Sequence, residues 1–311
     1  MEKNAKIYVC GHSGMVGSAI VRGLRKAGFS NILTREIHEL DLTDQSAVRL
    51  FFQNEKPDYV FLAAAAVGGI KKNIEKPAEM LYINLSIQNN VIDCAYRNGV
   101  KKLLFLGSSC VYPRLCKQPM KEEYILTGPF EPTNEGYAIA KVAGLRMCEY
   151  YNRQYGTNFI SIMPCNLYGR NDHYDENAHV LASLIRKFYE AKESDQKEVS
   201  VWGSGNQRRE FLYVDDAADA ALFLMEHYSG NEFINVGYGS DVSIRELASI
   251  IAETVGYKGK IIFDSSKPEG MPQKLLEVSK LTDLGWKYKT NLGEGIKKTL
   301  SDYLLRCKKE H

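Results

Sequence analysis

A glycine-rich turn near the start of the chain constrains the fold more than any other feature. An apolar, β-rich segment at residues 6–10 is followed by Gly11, Gly14 and Gly17, and residues 15–27 have helical spacing. A strand-to-helix turn without Cβ atoms lets a diphosphate approach the backbone, and the helix N-terminus supplies free N–H groups and partial positive charge. The turn therefore predicts a dinucleotide site, and the alternative is a tight turn that only needs small residues.

Strand-like and helix-like segments alternate through the first half of the chain. The apolar, β-rich segments are residues 6–10, 32–34, 59–63, 103–106 and 159–163, and the helical segments between them are residues 15–27, 45–54, 80–97 and 135–155. Near-continuous apolar strands separated by helices indicate a parallel sheet covered on both faces. Right-handed crossovers then predict a Rossmann-like, doubly wound α/β fold.

The pattern changes after Pro164, where the predicted strands and helices become shorter. We expect a larger domain at residues 1–168, rejoined by part of residues 209–238, and a smaller α/β domain at residues 169–311. The smaller domain carries the predicted helix 243–255 and several short strands.

Composition excludes several classes of protein. Of the 311 residues, 44% are hydrophobic and 25% charged, the net charge is +2, and no basic arm is present, so we expect no nucleic-acid partner. The longest apolar stretch, residues 59–70, is glycine-broken and too short for a bilayer, so we expect no membrane partner. The seven cysteines form no CxxC pair and the charged start MEKNAK is unlike a signal peptide, which favours a reduced, cytoplasmic enzyme without a metal site.

The end of the second predicted strand bears on which dinucleotide is bound. A 2′-phosphate pairs with arginine there, whereas an unphosphorylated ribose pairs with a carboxylate. Arg35 favours NADP(H) and Glu36 favours NAD(H); we favour NADP(H). Asp41 is a candidate acceptor for the adenine amino group, and its alternative role is the N-cap of the following helix.

A serine, a tyrosine and a lysine form the candidate reducing group. Ser108 follows the apolar strand ending near Leu106, and Tyr137 and Lys141 lie at i and i+4 on one face of a predicted helix. Parallel sheets bind ligands at the carboxyl ends of their strands, where these side chains can meet. Tyr137 would protonate an alkoxide as hydride arrives, and Ser108 would hydrogen-bond the same oxygen. The alternatives are an ordinary turn and a solvated surface pair.

The distance between Lys141 and Tyr137 determines how far the lysine can lower the pKa of the tyrosine. Lowering the pKa of a tyrosine from about 10 to near 7 requires roughly 4 kcal/mol. An ammonium at about 4 Å supplies about that much when the effective dielectric constant is near 20. At longer range, the charge of the oxidised nicotinamide must contribute.

These motifs together resemble the extended short-chain dehydrogenases/reductases. More closely, stretches along nearly the whole chain resemble the GDP-L-fucose synthase family, among them GHSGMVGSAI, KLLFLGSSCVYP, EPTNEGYAIAK, REFLYVDD and KLLEVSKLTDLGW. That family epimerises GDP-4-keto-6-deoxy-D-mannose at C3 and C5 and reduces C4 with NADPH. The resemblance implies an NADP(H) cofactor, a GDP-sugar substrate and a homodimer formed through helices that flank the sheet.

Two other functions stay open. The first is a C4-reductase of a related GDP-4-keto-6-deoxy sugar, such as a heptose, with weak or absent epimerase activity. The second is a non-catalytic regulator that binds the dinucleotide, against which the presence of Ser108, Tyr137 and Lys141 speaks.

The resemblance also assigns roles to individual residues. It makes Ser108, Tyr137 and Lys141 the reducing group, and Cys110 and His179 the acid/base pair for epimerisation. We expect Cys110 to face the same sugar as Ser108 because alternate residues of an extended segment share a side. The alternatives are a small buried hydrophobe for Cys110 and a capping or core residue for His179.

The implied binding residues form two sets, with Arg209 expected to bind the diphosphate and Trp202 to lie near the nucleotide. Their alternatives are a surface salt bridge and a core aromatic. The cofactor set is Gly11, Ser13, Gly14, Met15, Val16, Gly17, Arg35, Asp41, Leu42, Ala63, Leu106, Gly107, Ser108, Tyr137, Lys141, Pro164, Asn166, Leu167 and His179. The substrate set is Ser109, Cys110, Asn166, Val180, Lys187, Val201, Trp202, Arg209, Glu269 and Lys274.

Overall fold

The computed structural model of the chain describes residues 1–175, 178–267 and 270–308. The first part of the chain alternates strands and helices. Its elements are β1 (Ile7–Cys10), α1 (Met15–Lys26), β2 (Ile32–Leu33), α2 (Gln45–Glu55), β3 (Tyr59–Leu62), α3 (Ile70–Glu75), α4 (Pro77–Arg97), β4 (Lys102–Leu106), α5 (Glu135–Tyr155) and β5 (Phe159–Pro164). Short 3₁₀ turns lie between β4 and α5, at Ser109–Val111, Glu122–Tyr124 and Pro132–Asn134.

The second part of the chain has shorter strands. Its elements are β6 (Asn166–Tyr168), α6 (Val180–Glu193), β7 (Glu198–Trp202), β8 (Arg208–Tyr213), α7 (Val214–His227), β9 (Ile234–Val236), β10 (Asp241–Ser243), α8 (Ile244–Val255), β11 (Lys260–Asp264), β12 (Gln273–Lys274), α9 (Ser279–Asp283) and α10 (Leu292–Cys307).

A parallel sheet of strand order β2–β1–β3–β4–β5–β9 organises the larger part of the molecule. Its strands are buried because α4 packs against α5 and α1 packs against α7, which together cover the sheet. The strand order reverses between β1 and β3, and ligands of doubly wound sheets bind in the crevice outside such a reversal. The predicted Rossmann-like fold is confirmed.

A second set of strands surrounds β8. Strand β8 pairs with β6 and β12 in parallel and with β10 antiparallel, while β7 pairs with β11. Helices α6, α8 and α10 contribute Phe188, Leu247 and Ile296 to a separate apolar core. Helix α7 and strand β9 lie in sequence between these strands but pack on α1 and pair with β5. The domain boundary proposed between residues 168 and 169 stays a prediction.

Two general findings concern ligands and membranes. None of the helices in the described part of the chain combines the length and apolar character needed to cross a bilayer. Residues 1–175, 178–267 and 270–308 contain no group of three His, Cys, Asp or Glu side chains placed to hold a metal ion. All seven cysteines are free thiols.

Candidate active site

The glycine turn forms a cradle that has no room for side chains. Gly11 ends β1 with a φ of +76°, and a Cβ there would lie 2.7 Å from the Cα of Ala64. A Cβ on Gly17 would lie 2.0 Å from the carbonyl oxygen of Gly11. Gly14 is the N-cap residue of α1 and has no side chain that could accept hydrogen bonds. The first N–H groups of the helix therefore stay available to a ligand. This cradle fits the diphosphate of a dinucleotide.

The end of β4 carries the second part of the site. Ser108 accepts a hydrogen bond from the Cys110 N–H at 3.3 Å and thereby starts the 3₁₀ turn Ser109–Val111. The expectation of an extended segment is therefore wrong, because the serine oxygen satisfies an N–H and winds the chain. Cys110 owes its position to this turn and not to strand alternation.

Helix α5 brings Tyr137 and Lys141 to the same edge of the sheet. The hydroxyl of Tyr137 shares a hydrogen bond with the Ser108 side chain. The Lys141 Nζ donates to the carbonyl oxygen of Leu106 at 2.7 Å and lies 5.7 Å from the Tyr137 ring centroid. Because Lys141 is only 3% exposed, the alternative of a solvated surface pair is wrong.

Burial dominates the electrostatics of this pair. It raises the pKa of Tyr137 above the ordinary tyrosine value, the charge of Cys110 adds to that rise, and the hydrogen bond from Ser108 opposes it. Burial also lowers the pKa of Lys141 to about 8. The protein alone therefore keeps the phenol protonated near neutral pH, so the Tyr137 side chain has a proton to donate there.

The Cys110 thiol is surrounded by two side chains from other parts of the chain. The Asn134 amide nitrogen lies 3.2 Å from Cys110 Sγ, and the Lys274 Nζ lies 3.5 Å from it. Cys110 is only partly buried, so the alternative of a small core hydrophobe does not describe it. Asn134 was not predicted, although it lies in the quoted EPTNEGY stretch. Its contact with the thiol depends on the 3₁₀ turn Pro132–Asn134, which has no strong sequence signal.

His179 lies immediately before α6. It occupies the N-cap position without a side-chain capping hydrogen bond, and it is solvent-exposed. Neither a capping nor a core role therefore describes it. Partial desolvation lowers its pKa, and the positive charges of Lys274 and His173 lower it further. Lys274 thus lies within electrostatic reach of both members of the proposed acid/base pair.

Two positive side chains lie near the Cys110 thiol, on β8 and β12. Strands β8 and β12 pair Arg209 with Lys274. The Arg209 guanidinium donates to the Arg208 carbonyl oxygen at 2.8 Å. Burial lowers its pKa, while Glu131 and Cys110 act in the opposite direction. A partly buried planar cation near the Cys110 thiol suits a diphosphate.

Most of the other predicted substrate residues lie in α6, in β7 or next to Cys110. Lys187 on α6 donates to the Ser200 carbonyl oxygen on β7 at 3.3 Å, and Trp202 ends β7 with half of its surface exposed, so it is not a core aromatic. Val201 and Ser109 are nearly fully buried. Glu269 lies outside the described residues.

The residues predicted to contact the adenosine already have hydrogen-bond partners within the protein. Arg35 donates to the Glu55 carboxylate at 2.7 Å and to the Thr34 carbonyl oxygen at 2.8 Å, so its guanidinium is already engaged. Asp41 accepts hydrogen bonds from the N–H and hydroxyl of Thr43. The alternative of Asp41 as an N-cap is wrong, because Asp44 caps α2.

The other cofactor candidates lie around the carboxyl ends of the strands. Ala63 directly follows β3, Gly107 follows β4, and Pro164 ends β5. Asn166 donates to the Glu210 carbonyl oxygen at 2.8 Å. Met15, Val16, Leu106 and Leu167 are partly buried against the core of the first sheet.

Comparisons with known proteins identify the family of the chain. The profile of the NAD dependent epimerase/dehydratase family matches residues 7–237. The chain is 56% identical over 305 residues to the putative GDP-L-fucose synthase 2 of Arabidopsis thaliana, covering 98% of this chain and 93% of that protein. A GDP-6-OMe-4-keto-L-xylo-heptose reductase from C. jejuni superposes with a TM-score of 0.94 at 40% identity, covering 98% of this chain and 99% of that one. A GDP-L-fucose synthetase from Naegleria fowleri bound to NADP superposes with a TM-score of 0.91 at 29% identity, covering 99% and 96%.

Proposed function

The chain belongs to the NAD dependent epimerase/dehydratase family, and from that membership we propose that it converts GDP-4-keto-6-deoxy-D-mannose to GDP-L-fucose with NADPH. It is thus an oxidoreductase that also acts as an isomerase. The observation that carries the proposal is one cluster: the Cys110 thiol, flanked by Lys274, lies beside the hydrogen-bonded pair of Tyr137 and Ser108.

The reductive step depends on Tyr137 and Ser108. When bound over the glycine cradle, NADPH supplies the hydride for C4. Ser108 and Tyr137 hydrogen-bond the C4 oxygen, and Tyr137 transfers its proton as negative charge develops there. The raised pKa of Tyr137 keeps this proton available near neutral pH. The buried Lys141 is held by the Leu106 carbonyl at a distance from which its charge stabilises the phenolate after transfer.

The epimerisation steps depend on Cys110 and His179. The C4 carbonyl acidifies the hydrogens on C3 and C5, and the groups that polarise this carbonyl for reduction also stabilise the enolate. A thiol and an imidazole, with free pKa values of about 8.5 and 6.5, are suited to moving carbon-bound protons near neutrality. The ammonium of Lys274 lies 3.5 Å from the Cys110 sulfur, where its positive charge stabilises the negative charge that develops during proton transfer.

The GDP part of the substrate is bound on the other side of the thiol. Arg209 and Lys274 neutralise the diphosphate, and the exposed Trp202 and the neighbouring Lys187 contact the nucleotide. This arrangement directs the sugar toward Cys110 and Ser108, because the diphosphate joins the sugar to the nucleoside.

A C4-reductase of a GDP-keto-heptose is the second candidate, and the likeness to the C. jejuni heptose reductase favours it. The retained thiol and imidazole support the first candidate. The two differ in solvent exchange. An epimerase incorporates deuterium from D₂O at C3 and C5 of GDP-4-keto-6-deoxy-D-mannose without NADPH, whereas a reductase without epimerase activity does not.

The exchange experiment has a matched control on the same loop. Cys110→Ser should slow exchange strongly, because a serine hydroxyl ionises far less readily near neutral pH than a thiol. Cys116→Ser changes a partly buried cysteine outside the cluster and should leave exchange unchanged. Equal loss in both variants, or no exchange in the unaltered protein, would contradict the epimerase assignment.

We further propose a homodimer that resides in the cytoplasm. Helices α4 and α5 pack side by side and expose Tyr82, Ile139 and Tyr150, an apolar surface suited to a second copy. The seven free thiols agree with a reducing compartment. Light scattering should give twice the monomer mass, and Ile139→Glu should reduce it.

A further inference from the structure

The adenosine ribose end of the dinucleotide site differs from one built to hold a 2′-phosphate. We propose that this site accepts a 2′-hydroxyl about as readily as a 2′-phosphate, and that Glu36 and Glu55 determine the balance between NAD(H) and NADP(H). This inference deepens the proposed function, since it assumes that the glycine cradle binds a nicotinamide dinucleotide.

The first argument is the scarcity of available positive charge. A 2′-phosphate pairs with arginine near the end of the second strand or the glycine turn. The turn, residues 11–18, contains no Lys or Arg, and residues 32–40 contain only Arg35. Arg35 is therefore the one Arg or Lys that these two segments can offer to the phosphate.

The second argument is that the Arg35 guanidinium already contacts side chains of α2. Its Nη2 donates to the Glu55 carboxylate at 2.7 Å, its Nη1 donates to the Thr34 carbonyl oxygen at 2.8 Å, and its guanidinium lies 5.4 Å from the Phe51 ring centroid. Glu55 is also bound to Lys6, with 3.5 Å between Nζ and Oε2. A 2′-phosphate must compete with Glu55 for Arg35.

The third argument is the negative charge beside the ribose position. Glu36 lies three residues beyond the end of β2, at the position where a carboxylate accepts from the ribose 2′-hydroxyl. Its Oε1 lies 3.1 Å from His12 Nε2, which joins it to the glycine turn, and its side chain is 45% exposed. Glu39 accepts the Glu36 N–H at 2.7 Å and adds a second carboxylate. Both carboxylates repel a 2′-phosphate and suit a hydroxyl.

The experiment is equilibrium binding of NADP⁺ and NAD⁺ by titration calorimetry, without sugar substrate. For the unaltered protein we expect the two dissociation constants to differ by less than tenfold. Glu36→Gln should shift their ratio toward NADP⁺ by at least fivefold, because repulsion of the phosphate is lost together with a strong acceptor for the ribose. Glu55→Gln should tighten NADP⁺ binding severalfold by releasing Arg35 and should change NAD⁺ binding by less than twofold.

The control variant is Glu253→Gln, an exposed glutamate on α8 outside the nucleotide site, which should leave both constants unchanged. Thermal unfolding verifies that each variant is folded, and Glu36→Gln alone decides the case if Glu55→Gln unfolds. A preference for NADP⁺ above tenfold in the unaltered protein, or equal changes for both dinucleotides in Glu36→Gln, overturns the inference. Because no sugar is present, either result leaves the proposed reaction untouched.

Discussion

The Nζ of Lys274 lies 3.5 Å from the Sγ of Cys110, although 164 residues separate the two in the chain. Lys274 belongs to β12, beside β8, whereas Cys110 belongs to the 3₁₀ turn that follows β4 of the large sheet. The contact therefore joins the strands around β8 to the carboxyl edge of the large sheet, where the cofactor is expected. A cation in this position can act on the thiol and on the substrate diphosphate.

Replacing Lys274 should slow epimerisation and weaken substrate binding. We expect Lys274→Met to lower the rate of deuterium uptake at saturating substrate at least tenfold, because the Cys110 thiol loses the ammonium that lies 3.5 Å from its sulfur. Lys274→Arg keeps the charge and should retain most of the rate. If Lys274→Met raised KM alone and left the saturated rate unchanged, the lysine would act only on the diphosphate.

Removing the Tyr137 hydroxyl should abolish most of the reduction. Tyr137→Phe should lower ketosugar-dependent NADPH oxidation by about 10²–10⁴-fold, the usual contribution of a general acid. Tyr155→Phe, at an exposed tyrosine on the same helix, is the control and should be silent. NADPH oxidation followed at 340 nm measures both, and an unchanged rate in Tyr137→Phe contradicts the role of the phenol.

A comparison of two glycines distinguishes the steric requirement of the glycine cradle from the cost of a positive φ. Gly11 and Gly28 both have positive φ, at +76° and +85°, but only a Cβ on Gly11 would meet the backbone, while a Cβ on Gly28 would meet nothing within 4 Å. Gly28→Ala should therefore cost about 1–2 kcal/mol of unfolding free energy. Gly11→Ala should cost more and should also abolish dinucleotide binding. Chemical denaturation and calorimetry measure the two effects, and equal behaviour of the variants contradicts the close approach at Gly11.

Asp172 should make the stability of the protein depend on pH. It is only 3% exposed, its Oδ2 has no hydrogen-bond partner among the described residues, and burial raises its pKa from 3.8 to about 7. The folded protein then binds more protons than the unfolded chain between about pH 4 and 7, so the contribution of Asp172 is full below pH 4 and is lost as pH rises through 7.

The matching variant is Asp172→Asn. It removes the titrating group, so the fall in Tm between pH 5 and pH 8 should be smaller than in the unaltered protein. Asp195→Asn, at an exposed aspartate, is the control. An identical pH dependence of Tm in Asp172→Asn and the unaltered protein would show that this carboxyl is ionised at both pH values.

The sequence predicts the large sheet well because each of its strands is apolar along its whole length. Strands that are buried on both faces have such near-continuous apolar sequences. The predicted strands at residues 103–106 and 159–163, and the predicted helix at residues 135–155 between them, agree with the structure. The glycine turn was equally predictable, since its glycines are required by contacts within the turn and with the backbone of Ala63 and Ala64, just after β3.

The contacts that complete the site were less readable because they join distant parts of the chain. The proximity of Lys274 and Cys110 depends on the pairing of β12 with β8, a two-residue strand without a periodic pattern. The engagement of Arg35 by Glu55 depends on where α2 ends, so a guanidinium that the sequence suggests for a phosphate is already paired. The 3₁₀ turn at Ser108 reflects a single side-chain hydrogen bond that strand periodicity cannot reveal.

The product formed in D₂O tests the central claim most directly. The purified protein, GDP-4-keto-6-deoxy-D-mannose and NADPH are incubated in D₂O, and the product is analysed by ¹H NMR. The account predicts GDP-L-fucose with deuterium at C3 and C5 and a hydrogen from NADPH at C4. A C4-reduced sugar with hydrogen retained at C3 and C5 and unchanged configuration there would contradict it.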